Sequence, residues 1–221
     1  MAGSAASTDP TGRTGRVLRH ALADRIFHWA AAAAVLTLLG TAFLPILGLS
    51  FPWVTVHWMA GIALGVIVLW HIVRALFWQD WRAMWIGRRD LCDVVDTLCW
   101  TLRRRAEPPG KPGKYSLAQK LIHVVFALAI LTTLVTGGLM LVRIDAPWWQ
   151  RNPYWLPDAT WGVIYVLHGL AALALITIVM AHVYFALRPE KLFFTRSMVL
   201  GWITREEYAR EHDQNRWQVD R

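Results

Sequence analysis

The sequence predicts an all-α integral membrane protein built as a four-helix bundle. The chain of 221 residues is 56% hydrophobic and has a mean hydropathy of +0.35, which is too apolar for an ordinary soluble domain of this length. It contains four apolar stretches long enough to cross the hydrocarbon core of a bilayer, which takes about 20 helical residues. Their residues do not alternate between apolar and polar, as the strands of a membrane β-barrel would.

The four predicted spans divide the chain into segments. They comprise residues 26–49, 53–78, 121–142 and 161–187. Residues 1–18 are rich in Ser, Gly and Thr, and we expect them to be disordered. The transmembrane domain then occupies residues 19–187, with a long loop at 79–119, and residues 188–221 form a C-terminal tail. The first span lacks a small-residue cleavage site, so we expect a retained anchor rather than a signal peptide.

Basic residues are concentrated in three segments that an even number of spans places on one side of the membrane. Lys and Arg are frequent before residue 26, in the loop and in the tail, whereas the connection between spans one and two has none. The positive-inside rule therefore predicts a multi-pass membrane protein with both termini and the loop in the cytoplasm. Because this topology accounts for the net charge of +8, we expect contact with membrane lipid and no nucleic-acid partner.

Two cysteines limit the redox chemistry that this chain can hold by itself. Cys92 and Cys99 both lie in the predicted cytoplasmic loop, where a disulfide is not expected. They are too few to bind an iron–sulfur cluster, and the sequence has no CxxCH motif for a covalently attached haem. Any iron–sulfur centre that works with this protein is therefore expected in another chain.

Histidines are unusually frequent in the apolar segments: six of the eight lie in or next to a span. Ionisable residues at membrane depth are costly and usually face the interior of the bundle, so each is a candidate site residue. The alternating direction of the spans sorts them into two depths. The outer level holds His57 and His168, and the inner level holds His28, His71, His123 and His182.

The spacing of these histidines indicates two haems, one at each depth. His168 and His182 are fourteen residues apart, which places them about 21 Å apart along a helix and within about 40° in rotation. Haem iron takes axial ligands from opposite faces, so two helices must each offer one histidine at the same depth. Stacked in this way, two bis-histidine b-type haems carry electrons most of the way across a membrane.

Spacing alone leaves three points open. At the outer level His57 pairs with His168, but at the inner level His182 faces either His28 or His71, because His57 and His71 share the fourteen-residue spacing. The histidines could instead hydrogen-bond neighbouring helices in a haem-free scaffold. A proton-coupled transporter is disfavoured, since no carboxylate lies deep in the spans.

Glycines follow the outer histidines in the sequence: Gly61, Gly65 and Gly169. They either let a flat macrocycle approach the helix backbone or serve ordinary helix packing.

Five short motifs contain or adjoin the candidate residues. They are DRIFHW at 24–29, VHWMAGIAL at 56–64, GKYSLAQKL at 113–121, LHGLAAL at 167–173 and HVYFA at 182–186, followed by RPEKLFFTRSMVLGWITREEY at 188–208. In order and spacing they resemble the cytochrome b (gamma) subunit of membrane-bound respiratory formate dehydrogenases, over residues 19–217. The wider group includes the b-type cytochromes of nickel–iron hydrogenases.

The resemblance implies a set of haem ligands. In that family the outer haem is ligated from helices two and four, which matches His57 and His168. The inner haem is ligated from helices one and four, which maps onto His28 and His182 and leaves His71 as the alternative. Arg25 and Arg74 lie near the inner level and could contact haem propionates, since Arg suits bidentate carboxylate contacts, or could equally anchor lipid phosphate.

The resemblance also implies reduction of a quinone, ubiquinone or menaquinone, beside the inner haem. Ser116 and Gln119 could hydrogen-bond a quinone carbonyl and His123 could donate a proton. Ser116 stands where the family commonly has Asn, and the same stretch could simply be a polar helix start.

The resemblance implies an electron-transfer subunit of an oxidoreductase complex in the bacterial inner membrane. Its implied partners are an iron–sulfur subunit and a molybdenum or tungsten catalytic subunit. The alternatives are the cytochrome of a hydrogenase or of another molybdoenzyme, and a stand-alone cytochrome b that reacts with quinol.

Overall fold

The chain folds into seven α-helices and two short strands within the residues that the structure describes. The computed structural model describes residues 15–78, 81–104, 106–107 and 110–219. The helices are α1 (Leu22–Phe43), α2 (Trp53–Trp78), α3 (Arg88–Thr101), α4 (Leu117–Met140), α5 (Asp158–Leu187), α6 (Leu192–Leu200) and α7 (Arg205–Glu211). The strands are β1 (Arg16–Leu18) and β2 (Trp202–Thr204), and 3₁₀ turns occupy Trp81–Met84, Leu141–Arg143 and Pro189–Lys191.

Four of these helices are long and apolar enough to cross a membrane, which confirms the predicted four-span fold. They are α1, α2, α4 together with its 3₁₀ extension to Arg143, and α5. The second span, 53–78, coincides with α2. The first differs from its predicted range of 26–49 because α1 ends at Phe43, just before Pro45, and the chain then turns through Gly48 with a φ of 89°.

The described residues of 26–81 and 121–184 form one compact unit, which we call the transmembrane unit. Its buried core takes small or aliphatic side chains from all four spans: Ala34, Val35, Leu39, Leu64, Ala129 and Leu175. Most of the remaining aliphatic side chains are exposed, as at Val66 and Leu128. Helices that are apolar around most of their circumference suit a lipid environment.

The described residues of 1–25, 82–120 and 185–221 form a second compact unit, which we call the extramembrane unit. β1 pairs antiparallel with β2, with Val17 opposite Ile203, and both side chains lie in a core with Phe193 and Tyr208. The long loop joins this core through His212. Its Nδ1 lies 2.7 Å from the carbonyl oxygen of Gly113, and its Nε2 lies 2.6 Å from the guanidinium of Arg19.

Buried polar groups in the extramembrane unit have altered acidities. Burial lowers the pKa of Arg19 to about 10. Burial also lowers the pKa of His212, which outweighs the opposite effect of its bond to the Gly113 carbonyl. A neutral His212 can donate one ring proton to Gly113 and accept from Arg19 at the other nitrogen, so both ring nitrogens have partners without a second buried cation.

The described residues of this unit come from three separate parts of the sequence. Residues 1–18 were expected to be disordered. Residues 1–14 lie outside the described residues, and Arg16–Leu18 form a strand. Residues 82–119 of the loop and the described tail, which the sequence analysis gives as separate segments, belong to one compact unit and are joined by the bond of His212 to Gly113. The physical reason is long-range pairing: Arg16 pairs with Thr204, and local composition carries no signal for a partner so distant in the chain.

Candidate haem-binding site

The six histidines of the transmembrane unit form three pairs, each joining two different helices. The ring centroids of His57 and His168 are 6.2 Å apart, and those of His28 and His182 are also 6.2 Å apart. The third pair, His71 and His123, has a centroid distance of 6.4 Å. The structure thus places His182 beside His28, while the alternative inner histidine, His71, lies against α4.

The two predicted ligand pairs fit coordination of one iron atom between them. With a metal–nitrogen distance of about 2.0 to 2.1 Å, two imidazoles on opposite sides of a metal have ring centroids about 6 Å apart. The observed 6.2 Å in both pairs matches this value. Imidazole nitrogens are common axial ligands of haem iron, so the donor set also fits. The third pair has a similar separation, and distance alone does not distinguish it.

A threonine hydroxyl contacts the Nδ1 atom of His57. Thr41 Oγ1 lies 2.8 Å from this nitrogen and 2.9 Å from the carbonyl oxygen of Thr37, one turn earlier in α1. Because the single hydroxyl proton is donated to a carbonyl, the hydroxyl oxygen accepts the Nδ1 proton of the imidazole. The Nε2 atom then carries the free lone pair, which is the form of histidine that binds a metal.

The same arrangement is repeated at His168. Thr136 Oγ1 lies 2.8 Å from His168 Nδ1 and donates its proton to the Thr132 carbonyl at 2.6 Å. Thr41 and Thr136 are 4% and 5% exposed, so water does not compete strongly for these bonds. In each case the hydroxyl comes from the preceding membrane span: α1 supplies it for His57, and α4 supplies it for His168. Both imidazoles of this pair are therefore oriented by a buried polar partner.

Gly137 is a second residue that adapts α4 to His168. A Cβ at this position would lie 3.2 Å from His168 Cε1, closer than ordinary van der Waals contact. The glycines singled out from the sequence behave differently. A Cβ at Gly61 or Gly65 would meet only a leucine side chain at 4.0 or 3.9 Å, and one at Gly169 would meet nothing within 4 Å. Gly61 and Gly65 therefore sit at ordinary helix-packing contacts.

Thr41, Thr136 and Gly137 were not identified by sequence reasoning. A signal was present for the threonines: each lies near the outer end of its predicted span, at the depth of His57 and His168. Threonine is common in membrane helices, where its hydroxyl bonds the preceding turn, so the signal is weak without the structure. Gly137 is adjacent to Gly138 in sequence, and only the position of His168 distinguishes the two.

Aromatic rings surround the His28–His182 pair. The His28 ring packs edge-on against Trp29 at 5.2 Å, and the His182 ring packs edge-on against Phe126 at 5.6 Å. His182 is exposed, while His28 is half-buried. Among the described residues, no hydrogen bond joins a ring nitrogen of either histidine to a threonine. This pair is therefore positioned by aromatic packing, whereas His57 and His168 are hydrogen-bonded to threonines.

His71 has its own aromatic partner. Phe27 stacks on the His71 ring with a centroid distance of 3.9 Å and an interplanar angle of 11°. This ring contact, together with that to His123, places His71 between α1 and α4. The structure thus gives His71 a defined position against Phe27 and His123.

The two candidate arginines have protein contacts. Arg25 belongs to the extramembrane unit and donates from Nη1 to the Val199 carbonyl at 2.5 Å. The Arg74 guanidinium lies 5.6 Å from the Trp70 ring centroid. Arg25 thus connects the start of α1 to the tail segment, a role that the sequence did not predict.

Ser116 and Gln119 form a reciprocal cap at the start of α4. The Gln119 side-chain oxygen accepts from the Ser116 backbone N–H at 2.9 Å, and Ser116 Oγ accepts from the Gln119 N–H at 3.4 Å. This is the capping-box pattern, which satisfies backbone donors that a helix start leaves without intrahelical partners. The polar helix start considered in the sequence analysis is therefore present. His123 follows one turn later and is exposed.

Several bacterial cytochrome subunits are similar to this chain over most of its length. The "Formate dehydrogenase, cytochrome b556(fdo) subunit" of Escherichia coli (strain K12) is 25% identical over 219 residues, which cover 90% of this chain and 91% of that protein. The "Formate dehydrogenase, cytochrome b556 subunit" of Haemophilus influenzae is 25% identical, covering 89% of this chain and 80% of the relative. The "Probable Ni/Fe-hydrogenase B-type cytochrome subunit" of Bradyrhizobium diazoefficiens is 26% identical, covering 85% and 84%.

The family model described as "Prokaryotic cytochrome b561" matches residues 19–201. This range includes all four membrane spans and all six histidines of the transmembrane unit. A cytochrome b binds b-type haem, which agrees with the geometry of the histidine pairs. The chain is a bacterial membrane protein and belongs to the prokaryotic cytochrome b561 family.

Proposed function

We propose that this protein is a dihaem cytochrome b subunit that passes electrons from an iron–sulfur partner across the membrane to quinone. The observation that carries the proposal is the pair of inter-helix histidine contacts with equal centroid distances of 6.2 Å. His57 and His168 would hold one haem, and His28 and His182 the other. Each bound haem supplies a reversible one-electron carrier.

The protein's own residues hold and separate the two sites. α5 carries both His168 and His182, so one rigid helix fixes their separation at about 21 Å along its axis. Thr41 and Thr136 accept the Nδ1 protons of His57 and His168 and hold each Nε2 ready for coordination. The aliphatic core between the spans excludes water from the path. Arg25 and Arg74 are both candidates for propionate contacts, and Arg25 also donates from Nη1 to the Val199 carbonyl.

Quinone reduction is assigned to the region at the start of α4. Gln119 uses its side-chain oxygen in the helix cap, which leaves its amide group as a donor for a quinone carbonyl. His123 is exposed one turn further along and would donate a proton. The acceptor would be ubiquinone or menaquinone, and the proton would come from the cytoplasmic side, where the positive-inside rule places the basic loop and both termini.

The relatives support a place in a larger complex. Two of them are named as formate dehydrogenase subunits, which favours an iron–sulfur subunit and a molybdenum or tungsten catalytic subunit as partners. The Bradyrhizobium relative is named as a hydrogenase cytochrome subunit, and its 26% identity makes hydrogenase the second candidate. The two candidates differ only in the partner that supplies electrons.

Two measurements on membranes and purified protein test this function. Haem b per polypeptide, determined on the detergent-solubilised chain, should be two, because two of the three histidine pairs, the two that share α5, are the proposed ligands. Formate added to anaerobic membranes should reduce the haems, and a quinone analogue should reoxidise them. A well-folded chain without haem would disprove electron transfer by this protein. Reduction by hydrogen but not by formate would select the second candidate.

A further inference from the structure

α3 carries an apolar stripe that no other part of the described chain covers. Five side chains on one face are between 45% and 57% exposed: Leu91, Val94, Val95, Leu98 and Leu102. Their spacing of three and four residues places them along one side of the helix and its C-cap. Exposed aliphatic side chains in such a continuous row mark a binding surface rather than scattered surface residues.

Ion pairs from the other side of α3 fix it to the start of a membrane span. Lys120 Nζ donates to both carboxylate oxygens of Asp90 at 3.0 Å, and Asp90 also accepts from the Gly87 N–H at 2.8 Å. Burial raises the pKa of Asp90, but the Gly87 N–H and the Lys120 ammonium together hold it below its usual value. Asp93 accepts from Arg216 at 2.8 Å.

Lys120 links α3 to the start of a candidate membrane span. Lys120 lies in the first turn of α4, and α4 continues into the membrane from there. Asp90 in the first turn of α3 is therefore bound to the first turn of a helix long enough to span the membrane, and such a helix begins near the headgroup region. A helix fixed at this depth with an uncovered apolar face has acyl chains within reach of that face.

Charged and aromatic residues at both ends of α3 match an anionic lipid surface. Arg88 begins the helix, and Arg103 and Arg104 follow its end. Trp85 precedes the helix and Trp100 lies in its last turn, and both indoles are exposed. Arginines bind phosphate headgroups, and tryptophans favour the interface between headgroups and acyl chains.

We propose that α3 is a membrane-surface helix whose apolar stripe inserts among the acyl chains beside the start of α4. Arg88, Arg103 and Arg104 bind anionic phospholipid headgroups at its two ends. The inference is independent of haem binding, because it uses only the extramembrane unit and the membrane-spanning character of α4.

Spin-label accessibility in a defined bilayer tests the proposal. The full chain, with Cys92→Ser and Cys99→Ser, is placed in nanodiscs of phosphatidylethanolamine and phosphatidylglycerol. A nitroxide label is attached at Val95→Cys or Leu98→Cys, and at Arg89→Cys on the opposite face as the matched control. Labels at the first two positions should collide more often with oxygen than with a water-soluble nickel chelate, and the control label should show the reverse.

A charge variant tests the headgroup contacts separately. Replacing Arg88, Arg103 and Arg104 by Gln should abolish any difference in label depth between nanodiscs with and without phosphatidylglycerol, since each arginine near an anionic surface contributes about a fivefold preference. The proposal is wrong if the Val95 label is as accessible to the nickel chelate as the Arg89 label. It is also wrong if both stripe labels become protected only when partner subunits are bound, because the stripe is then a protein-docking surface.

Discussion

The two candidate haem sites have the same histidine separation but different supports. At the His57–His168 site, a buried threonine hydroxyl accepts the Nδ1 proton of each imidazole. At the His28–His182 site, edge-on aromatic rings contact the imidazoles. Hydrogen bonding to Nδ1 increases the basicity of the coordinating nitrogen, whereas aromatic packing only positions the ring. Equal spacing therefore does not imply equal redox properties, and we expect the threonine-supported haem to have the stronger-donor ligands.

Removal of a ligand histidine should have the largest effect. His57→Ala or His168→Ala should eliminate one haem and leave the other, because the two sites share no histidine. The reduced-minus-oxidised absorbance should fall to about half, since one of two haems of the same type remains. Retention of both haems by either variant would contradict the assigned ligands.

An equally large effect should separate the His28 and His71 assignments. His28→Ala should remove the second haem, since His28 is the histidine placed beside His182 at ligand spacing. His71→Ala should keep both haems, because His71 contacts Phe27 and His123. Haem content per chain measures both variants side by side. The reverse result would move the inner ligand from α1 to α2.

Loss of a threonine hydroxyl should have an intermediate effect at one site only. Thr41→Val keeps the shape of the side chain but removes the acceptor for His57 Nδ1–H. We expect the midpoint potential of that haem to rise by about 20 to 65 mV, which corresponds to a net hydrogen bond of about 0.5 to 1.5 kcal/mol in a one-electron couple. Potentiometric titration resolves the two haems.

The matched variant for this experiment is Thr41→Ser, which retains a hydroxyl. It should restore the original potential, and Thr136→Val should reproduce the shift from the other side of the same haem. The haem held by His28 and His182 should keep its potential in every case. A shift of both haems, or none with Val, would show that the hydroxyls do not tune the ligands.

The smallest effect is expected from adjacent glycines of α4. A methyl group at Gly137 would press on His168 Cε1 at 3.2 Å, whereas one at Gly138 would meet nothing within 4 Å. Gly138→Ala should stabilise the helix by up to about 1 kcal/mol through reduced backbone entropy. Gly137→Ala should lose that gain and alter the low-spin EPR spectrum of the threonine-supported haem. If His168 did not contact Gly137, the two variants would have the same thermal stability and the same EPR spectrum.

Hydropathy was sufficient to predict the fold of the membrane part. The four spans follow from the length and composition of apolar stretches, and their alternating direction sorts the histidines by depth without any structure. The ends of the spans were less accurate, as at Phe43, because a proline and a positive-φ glycine terminate α1 inside an apolar run. The strand pairing of Arg16 with Thr204 has no local sequence signal.

The sequence predicts the depth of each candidate histidine in the membrane but not the rotation of its helix about the helix axis. His28 and His71 lie at one level, and only the rotation of α1 and α2 about their axes decides which of them faces His182. That rotation depends on packing around residues such as Leu64, where side-chain shape rather than pattern is decisive. The threonine contacts depend on the same rotations and could not be derived from spacing.

The pairing of β1 with β2 determines when the protein can finish folding. β1 precedes all four membrane spans in the chain, yet its partner Trp202–Thr204 follows the last of them. The core around Val17 therefore cannot close until residues 202–204 have been translated, after all four spans. Until then β1 has an unpaired edge. A chain truncated before residue 202 would keep that edge exposed to quality-control proteases.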